Sequence, residues 1–342
     1  MIPEVWSNDF RTVWRLGARL RSVIAARETG VLCALLIICV YLSFTTESFL
    51  SIRNLLNVGR QVSLLGMMAV GMTFVLVSRE VDLSIGSTYA LSGLITGMLI
   101  VHGADLASAL LGGLALGAAV GFVNGVLSTY GKLPSFIATL GMLSVVRGAA
   151  LLITDGQPVT VDVAKGGHAD VIEKFYFLGQ GQVFGSVPML LVCFAVVAAI
   201  GWFLLAKTAF GFRVYAAGGS EKAARLSGIQ VYRTKILTFS LMGLLSGLAG
   251  ILSLAFLPSG QAGRTGIGVE LDVIAATIVG GASLSGGEGT ILGTILGVLI
   301  IGVLRNGLVL LSISPFWQTT VIGLVIIFAV GLDKWTEQRR AF

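Results

Sequence analysis

The chain predicts an all-α membrane protein of about ten transmembrane helices, arranged as two weakly repeated halves of inverted topology. Three observations carry that prediction. Hydrophobic residues fill 55% of 342 positions and charged residues only 12%, against about 25% charged in soluble domains, so the chain needs lipid as its solvent. Glycine is abundant, at 46 residues, and small residues let helices approach closely in a membrane. Apolar runs long enough to cross a bilayer, about 20 residues each, recur from end to end.

Ten runs qualify, near 29–45, 61–78, 84–101, 106–129, 136–154, 187–206, 236–257, 271–285, 290–311 and 316–332. The first and eighth are short, as in spans that tilt less, recruit flanking residues or belong to broken helices. The first follows a basic segment, but no small-residue cleavage site follows Phe44, so it reads as a retained span rather than a signal peptide. Residues 1–28 precede it as a cytosolic segment. Arg11, Arg15 and Arg19 share one helical face there, with Val13, Trp14, Leu16 and Leu20 free to meet lipid. That pattern reads as an interfacial amphipathic helix; the alternative is a frayed basic tail. Residues 29–335 then form a single transmembrane domain, and 336–342 a cytosolic tail.

The basic residues orient the spans. With the N terminus inside, sixteen of the 23 Lys and Arg fall on the cytosolic side. Arg53, Arg60, Lys165, Lys174 and Arg264 fall outside, and Arg147 and Arg305 lie within spans. The asymmetry puts both termini in the cytosol, the 155–186 loop outside and the 207–235 loop inside. Phe175-Tyr176-Phe177 in the outer loop suit a small helix in the aromatic belt, or a docking place for a soluble partner. A short repeat supports two halves: Asn124-Gly125, Pro134, Phe136, Thr139 and Gly141 recur as Asn306-Gly307, Pro315-Phe316, Thr320 and Gly323. Spans 4 and 5 thereby match spans 9 and 10, five spans on, which inverts the copies. Gly112, Gly113, Gly117 and Gly121 in span 4, and Gly293, Gly297 and Gly302 in span 9, permit close helix contact within the subunit or with a partner.

Several function classes drop out. The formal charge of +6 lies in short loops between spans, which is the signature of orientation and not of a nucleic-acid face. Cys33, Cys39 and Cys193 sit within apolar runs without metal-ligand spacing, and His102 and His168 are single loop histidines. No metal or cofactor site and no catalytic triad is legible. Residues 284–289, Leu-Ser-Gly-Gly-Glu-Gly, lack the Gly-Lys-Ser/Thr ending of a phosphate loop. The chain therefore reads as a transport subunit without its own nucleotide site, and any ATP is hydrolysed by another polypeptide.

The polar stretch Ala217–Gly228 is the exception to the apolar pattern. Ser220 is placed to N-cap a short helix, Glu221 lies in its first turn, and Gly228 suits a left-handed end. Lys222, Ala223, Ala224, Arg225 and Leu226 fill it, among six basic residues from Lys207 to Lys235. A capped basic helix between spans offers a partner something to grip. A second polar segment, Arg79 to Ser87, breaks the chain between spans 2 and 3, with Asp82 or Ser84 able to cap span 3. It reads as a polar turn at a gate or against the partner, or else as an ordinary capped cytosolic turn. Asp82, Ser84, Asn124, Phe136, Arg147 and Asn306 are the candidate gate or pathway residues; the two arginines equally suit snorkelling or pairing with carbonyls. Glu270 and Asp272 stand at the outer mouth of span 8, to meet a partner or water.

Four motifs in order resemble one family. Residues 81–87, Val-Asp-Leu-Ser-Ile-Gly-Ser, resemble the GGxDLSVGS signature of monosaccharide ABC importer permeases of the ribose, xylose and arabinose type. Residues 133–141 resemble that family's LPSFIATLG segment, 221–229 its EEAARLSGI loop, and 272–289 its segment before the ninth span. The resemblance implies a vitamin-B12-importer-like permease fold in the bacterial inner membrane. It implies a second permease subunit (another copy or a close homologue), a cytosolic ABC ATPase subunit and a periplasmic substrate-binding protein. It also implies that the 220–228 helix is the coupling helix seated on the ATPase. Arg79-Glu80 stand where the family has two glycines, and Lys222 where a second glutamate is common. Relatives carry furanosyl signals, nucleosides or branched-chain amino acids, so the resemblance leaves the solute open. The rival from another class is an ion-coupled secondary transporter. It needs midplane carboxylates, whereas Glu80, Asp82, Glu270 and Asp272 fall at span ends. A structural or receptor-like membrane protein is disfavoured by the repeat.

Overall fold

The computed structural model describes residues 27–314 together with 317, 318, 320, 321, 323–325, 327, 328 and 331. The expected interfacial segment before Arg27, most of the tenth span, Pro315-Phe316 of the repeat and the 336–342 tail lie outside the described residues. The helices in order are α1 (Arg27–Thr45), α2 (Ile52–Val77), α3 (Ile85–Val101), α4 (Leu106–Thr129), α5 (Ser135–Thr154), α6 (Ala169–Gln180), α7 (Met189–Lys207), α8 (Ala209–Gly219), α9 (Glu221–Leu226), α10 (Val231–Phe256), α11 (Val269–Val279) and α12 (Ile291–Leu310). Two-residue strands β1 (Val159–Thr160) and β4 (Ser259–Gly260) pair antiparallel, as do β2 (Gln182–Val183) and β3 (Val187–Pro188).

Local chemistry sets the helix starts. The Ser51 hydroxyl accepts from the Asn54 N–H, and Asp105 accepts from Ser108, satisfying donors that a helix N-terminus leaves orphaned. Ser51 therefore starts α2 nine residues before the apolar run at 61. Its first turns are polar and exposed, with Arg60 donating to Asn57 at 2.9 Å. Gly281, at φ 98°, stops the helix of the eighth span early, so α11 is eleven residues and not the fifteen expected. Among the described residues seven helices are long and apolar enough to cross a membrane, and α3 is a shorter apolar one.

Helices α2 and α10 form the centre, mostly buried, while α1, α4, α5 and α7 expose most of their apolar surface. Glycines on α4 and α10 bring the backbones together: a Cβ on Gly117 would lie 2.5 Å from the Gly243 carbonyl oxygen. The α11–α12 contact has the same basis, since a Cβ on Gly297 would lie 1.9 Å from the Ala276 oxygen. Gly112 faces Leu99, Gly113 faces Thr96, Gly121 faces Phe239, Gly293 faces Gly280 and Gly302 faces Val62. All seven glycines singled out in the sequence thus pack within the subunit. The aromatic helix of the 155–186 loop, α6, is docked rather than free on a surface. Phe175 is fully buried, Tyr176 donates to the Val161 carbonyl, and Gly179 abuts Ala255 of α10.

Candidate functional site

The short helix α9 has the ends its sequence predicts. Ser220 Oγ accepts from the Ala223 N–H at 3.3 Å, and Gly228 takes φ 79° beyond the last turn. Only Ala224 is buried, against Ala217 and Val231. Lys222, Ala223 and Arg225 face outward, and Leu226 is 83% exposed. Arg225 donates to Glu221 one turn back at 2.6 Å and lies over the Tyr232 ring, 4.4 Å from its centroid.

Glu221 carries a second bond, from Lys235 Nζ of α10 at 3.0 Å. Burial pushes the Glu221 carboxyl up, but the hydrogen bonds from Lys235 and Arg225 outweigh it and hold it below the ordinary range. Lys235 in turn lies 2.6 Å from Glu80 Oε1. These three residues were not paired by the sequence reading. Glu221 and Arg225 stand four apart on one helix, a spacing that signals a pair, but nothing in the chain signals Glu80 and Lys235, 155 positions apart.

Glu80 opens the segment that separates α2 from α3, and this segment is not a simple surface turn. Ser78 reaches Thr238, 3.4 Å away, near the start of α10. The Ile85 carbonyl accepts from Ser246 at 2.6 Å, eight residues further along that helix, about 12 Å at 1.5 Å per residue. The chain from 79 to 84 thus climbs back into the bundle. Asp82 and Ser84 are each 1% exposed and Asn124 is fully buried. Asp82 Oδ1 accepts from the Ser84 N–H at 2.8 Å and the Ser84 hydroxyl at 2.7 Å. Asn124 Nδ2 donates to Ser84 Oγ at 2.8 Å and to both Asp82 oxygens at 3.3 Å. The Ser84 hydroxyl therefore does not cap α3; it serves the buried carboxylate, which needs donors to be tolerated away from water.

Of the six candidate gate residues, the fold brings these three together. Phe136 stands near them, because Ser135 beside it accepts from the Val81 N–H at 3.3 Å, and its own side chain is 56% exposed. Arg147 and Asn306 lie elsewhere. Arg147 donates to the carbonyls of Ala262 and Thr265 at 2.6 Å each, tying α5 to the loop before α11. Asn306 exchanges amide bonds with Asn54, at 2.8 and 3.0 Å. Asp272 is 5% exposed, bonded to Arg305 at 2.7 Å; the expectation of a water- or partner-facing carboxylate is corrected, since Arg305 reaches it from the neighbouring helix. Among the described residues no cluster of His, Cys, Asp and Glu could hold a metal.

Residues 54–330 match the family described as the permease component of branched-chain amino acid transport systems. The chain belongs to that permease family. The ribose import permease RbsC of Bacillus subtilis is 45% identical over 308 residues, 90% of this chain and 93% of that protein. RbsC of Escherichia coli K12 is 42% identical over 307 residues, 90% and 94% of the two. The L-arabinose ABC transporter permease AraH of Azospirillum brasilense is 39% identical over 318 residues, 92% and 90%. An inward-facing ABC transporter of the metal-chelate type shares the fold, with a TM-score of 0.50 at 16% identity over 90% of this chain and 98% of that one. The permease is thus a multi-pass membrane transport component with an ABC-transporter fold, and not an enzyme.

Proposed function

We propose that this permease is the transmembrane subunit of an ATP-driven importer that carries a pentose or a similar sugar across the bacterial inner membrane. The observation that carries the solute class is the identity of 39–45%, over nine-tenths of the chain, to permeases named for ribose and arabinose. A cytosolic ABC ATPase hydrolyses the ATP, a periplasmic binding protein delivers the sugar, and a second permease subunit completes the pathway. Residues 29–335 form one transmembrane domain with both termini cytosolic, as the charge asymmetry supports. In this reading α9 is the coupling helix and Leu226 its contact. A large apolar side chain 83% exposed on a polar helix suits a pocket on a partner.

ATP closes the ATPase dimer, α9 moves with it, and the polar segment 79–84 moves the base of α5. Asp82, Ser84, Asn124 and Phe136 then act at a gate on the cytosolic side. Arg147 and Asn306, held by a loop and by Asn54, fix the outer end. The test is Leu226→Asp beside Arg225→Glu. Both residues point away from the core, so the spans should stay folded, while co-purification of the ATPase and sugar uptake fall at least tenfold. Wild-type assembly and uptake in both variants would reject α9 as the docking element.

A further inference from the structure

The two polar features of the inner end are joined by a single side chain. Lys235 is 9% exposed, and its Nζ sits between Glu80 Oε1 at 2.6 Å and Glu221 Oε2 at 3.0 Å. Glu221 belongs to α9. Glu80 belongs to the polar segment after α2. That segment holds two further helices: α4, by Asn124 through Asp82 and Ser84, and α5, by Ser135 and Thr139 through the Val81 N–H and carbonyl. Apolar packing offers α9 little else, because only Ala224 is buried. A displaced six-residue helix with so small an apolar footing would slip over its neighbours unless something directional held it. Three charged groups, two of them nearly enclosed, supply that direction, since an ion pair at the membrane edge resists separation more than an exposed one does.

We infer that Lys235 is a positioning residue that clasps the coupling helix to the 79–84 segment, so that a movement of α9 is passed to the base of α5 rather than lost. Glycine replaces both Arg79 and Glu80 in the signature that residues 81–87 resemble, and glycine offers Lys235 no carboxylate. The inference rests on the reading of α9 as the ATPase-coupling helix. It adds what lies downstream of that contact. Removing the Glu80 charge leaves Lys235 bonded to Glu221, so α9 keeps its cap, its Arg225 pair and its exposed face. Docking is therefore preserved while transmission is cut.

The experiment uses the assembled transporter in proteoliposomes, and reads sugar uptake per ATP hydrolysed in Glu80→Gln, Lys235→Met and Lys235→Arg. Radiolabelled D-ribose and L-arabinose, each with its binding protein, serve as probes. Glu80→Gln and Lys235→Met should retain the ATPase subunit and basal hydrolysis, yet carry about tenfold less sugar per ATP. Lys235→Arg, which can still bridge two carboxylates, should stay within about twofold of wild type. A purely structural role would lower uptake and hydrolysis together and leave their ratio unchanged, and that result overturns the proposal. A wild-type ratio in Glu80→Gln overturns it as well. Should Lys235→Met assemble poorly, Glu80→Asp gives the same reading, because a carboxylate one methylene shorter loosens the clasp without removing a charge. Failure of the coupling-helix reading is seen separately, as loss of no ATPase in the Leu226→Asp complex.

Discussion

Arg79 adopts φ 64°, a left-handed conformation, at a position where the resembling family signature carries glycine. A residue with a Cβ pays about 1–2 kcal/mol there, and the Arg79 Cβ packs against Gly286, where a second Cβ would lie only 2.6 Å from it. Arg79→Gly should therefore raise the thermal unfolding midpoint in detergent, by the equivalent of about 1 kcal/mol once the greater freedom of an unfolded glycine is deducted. Arg79→Ala, which keeps the strain, should not. A midpoint that falls in Arg79→Gly would show that the guanidinium holds the turn in place. At this scale the sequence was informative wherever the signal is local. Ser220 and Gly228 announce the ends of α9 because capping needs only neighbours. Glu80, Lys235 and the Asn54–Asn306 pair stayed hidden, because each is made by residues from distant parts of the chain whose apposition depends on the whole bundle.

At the scale of elements, the apolar runs marked where helices cross lipid but not where they begin. Helix α2 starts at a serine cap and α11 stops at a glycine pair, and neither event alters hydropathy enough to move a run. Helix α3 looked like a span starting at a cytosolic turn. It starts well inside the bundle, because Glu80, Asp82 and Ser84 find their partners within the protein. The glycine seam between α4 and α10 was visible as composition, while its partner helix was not. Its energetic role is testable. A Cβ on Gly243 would lie 2.1 Å from the Gly117 carbonyl oxygen, so Gly243→Val should force the helices apart and destabilise the permease by about 1–3 kcal/mol. Gly148 of α5 has nothing within 4 Å, and Gly148→Ala should be neutral or add up to about 1 kcal/mol through helix propensity. Thermal unfolding of the two variants side by side checks the contrast, and equal effects would count against the seam.

The whole molecule raises the question of where a polar solute passes. Two buried carboxylates stand apart, Asp82 with Ser84 and Asn124 and Asp272 with Arg305, while buried hydroxyls such as the Thr73–Thr294 pair are scattered singly through the core. Around them the core is filled by large apolar side chains, among them Met67, Met72, Phe74, Phe239 and Met242, all fully buried. That apolar packing favours a path at a face of the subunit, and the proposed second permease subunit would complete it there. Helix α5 is the face best connected to the machinery, because its first turns are bonded to the 79–84 segment through Ser135 and Thr139. Beyond those bonds it presents Phe136, Ile137, Leu140 and Val145, 46–62% exposed. The expected outcome is a complex with two membrane subunits meeting along α5. With Cys33, Cys39 and Cys193 replaced, Ile137→Cys should form an intersubunit cross-link in membranes. Phe44→Cys, on α1 and 88% exposed, should not, since that face meets lipid. Native mass spectrometry of the extracted complex should count two permease subunits. A transport-competent assembly with one, or cross-linking through Phe44→Cys and not Ile137→Cys, would place the path elsewhere.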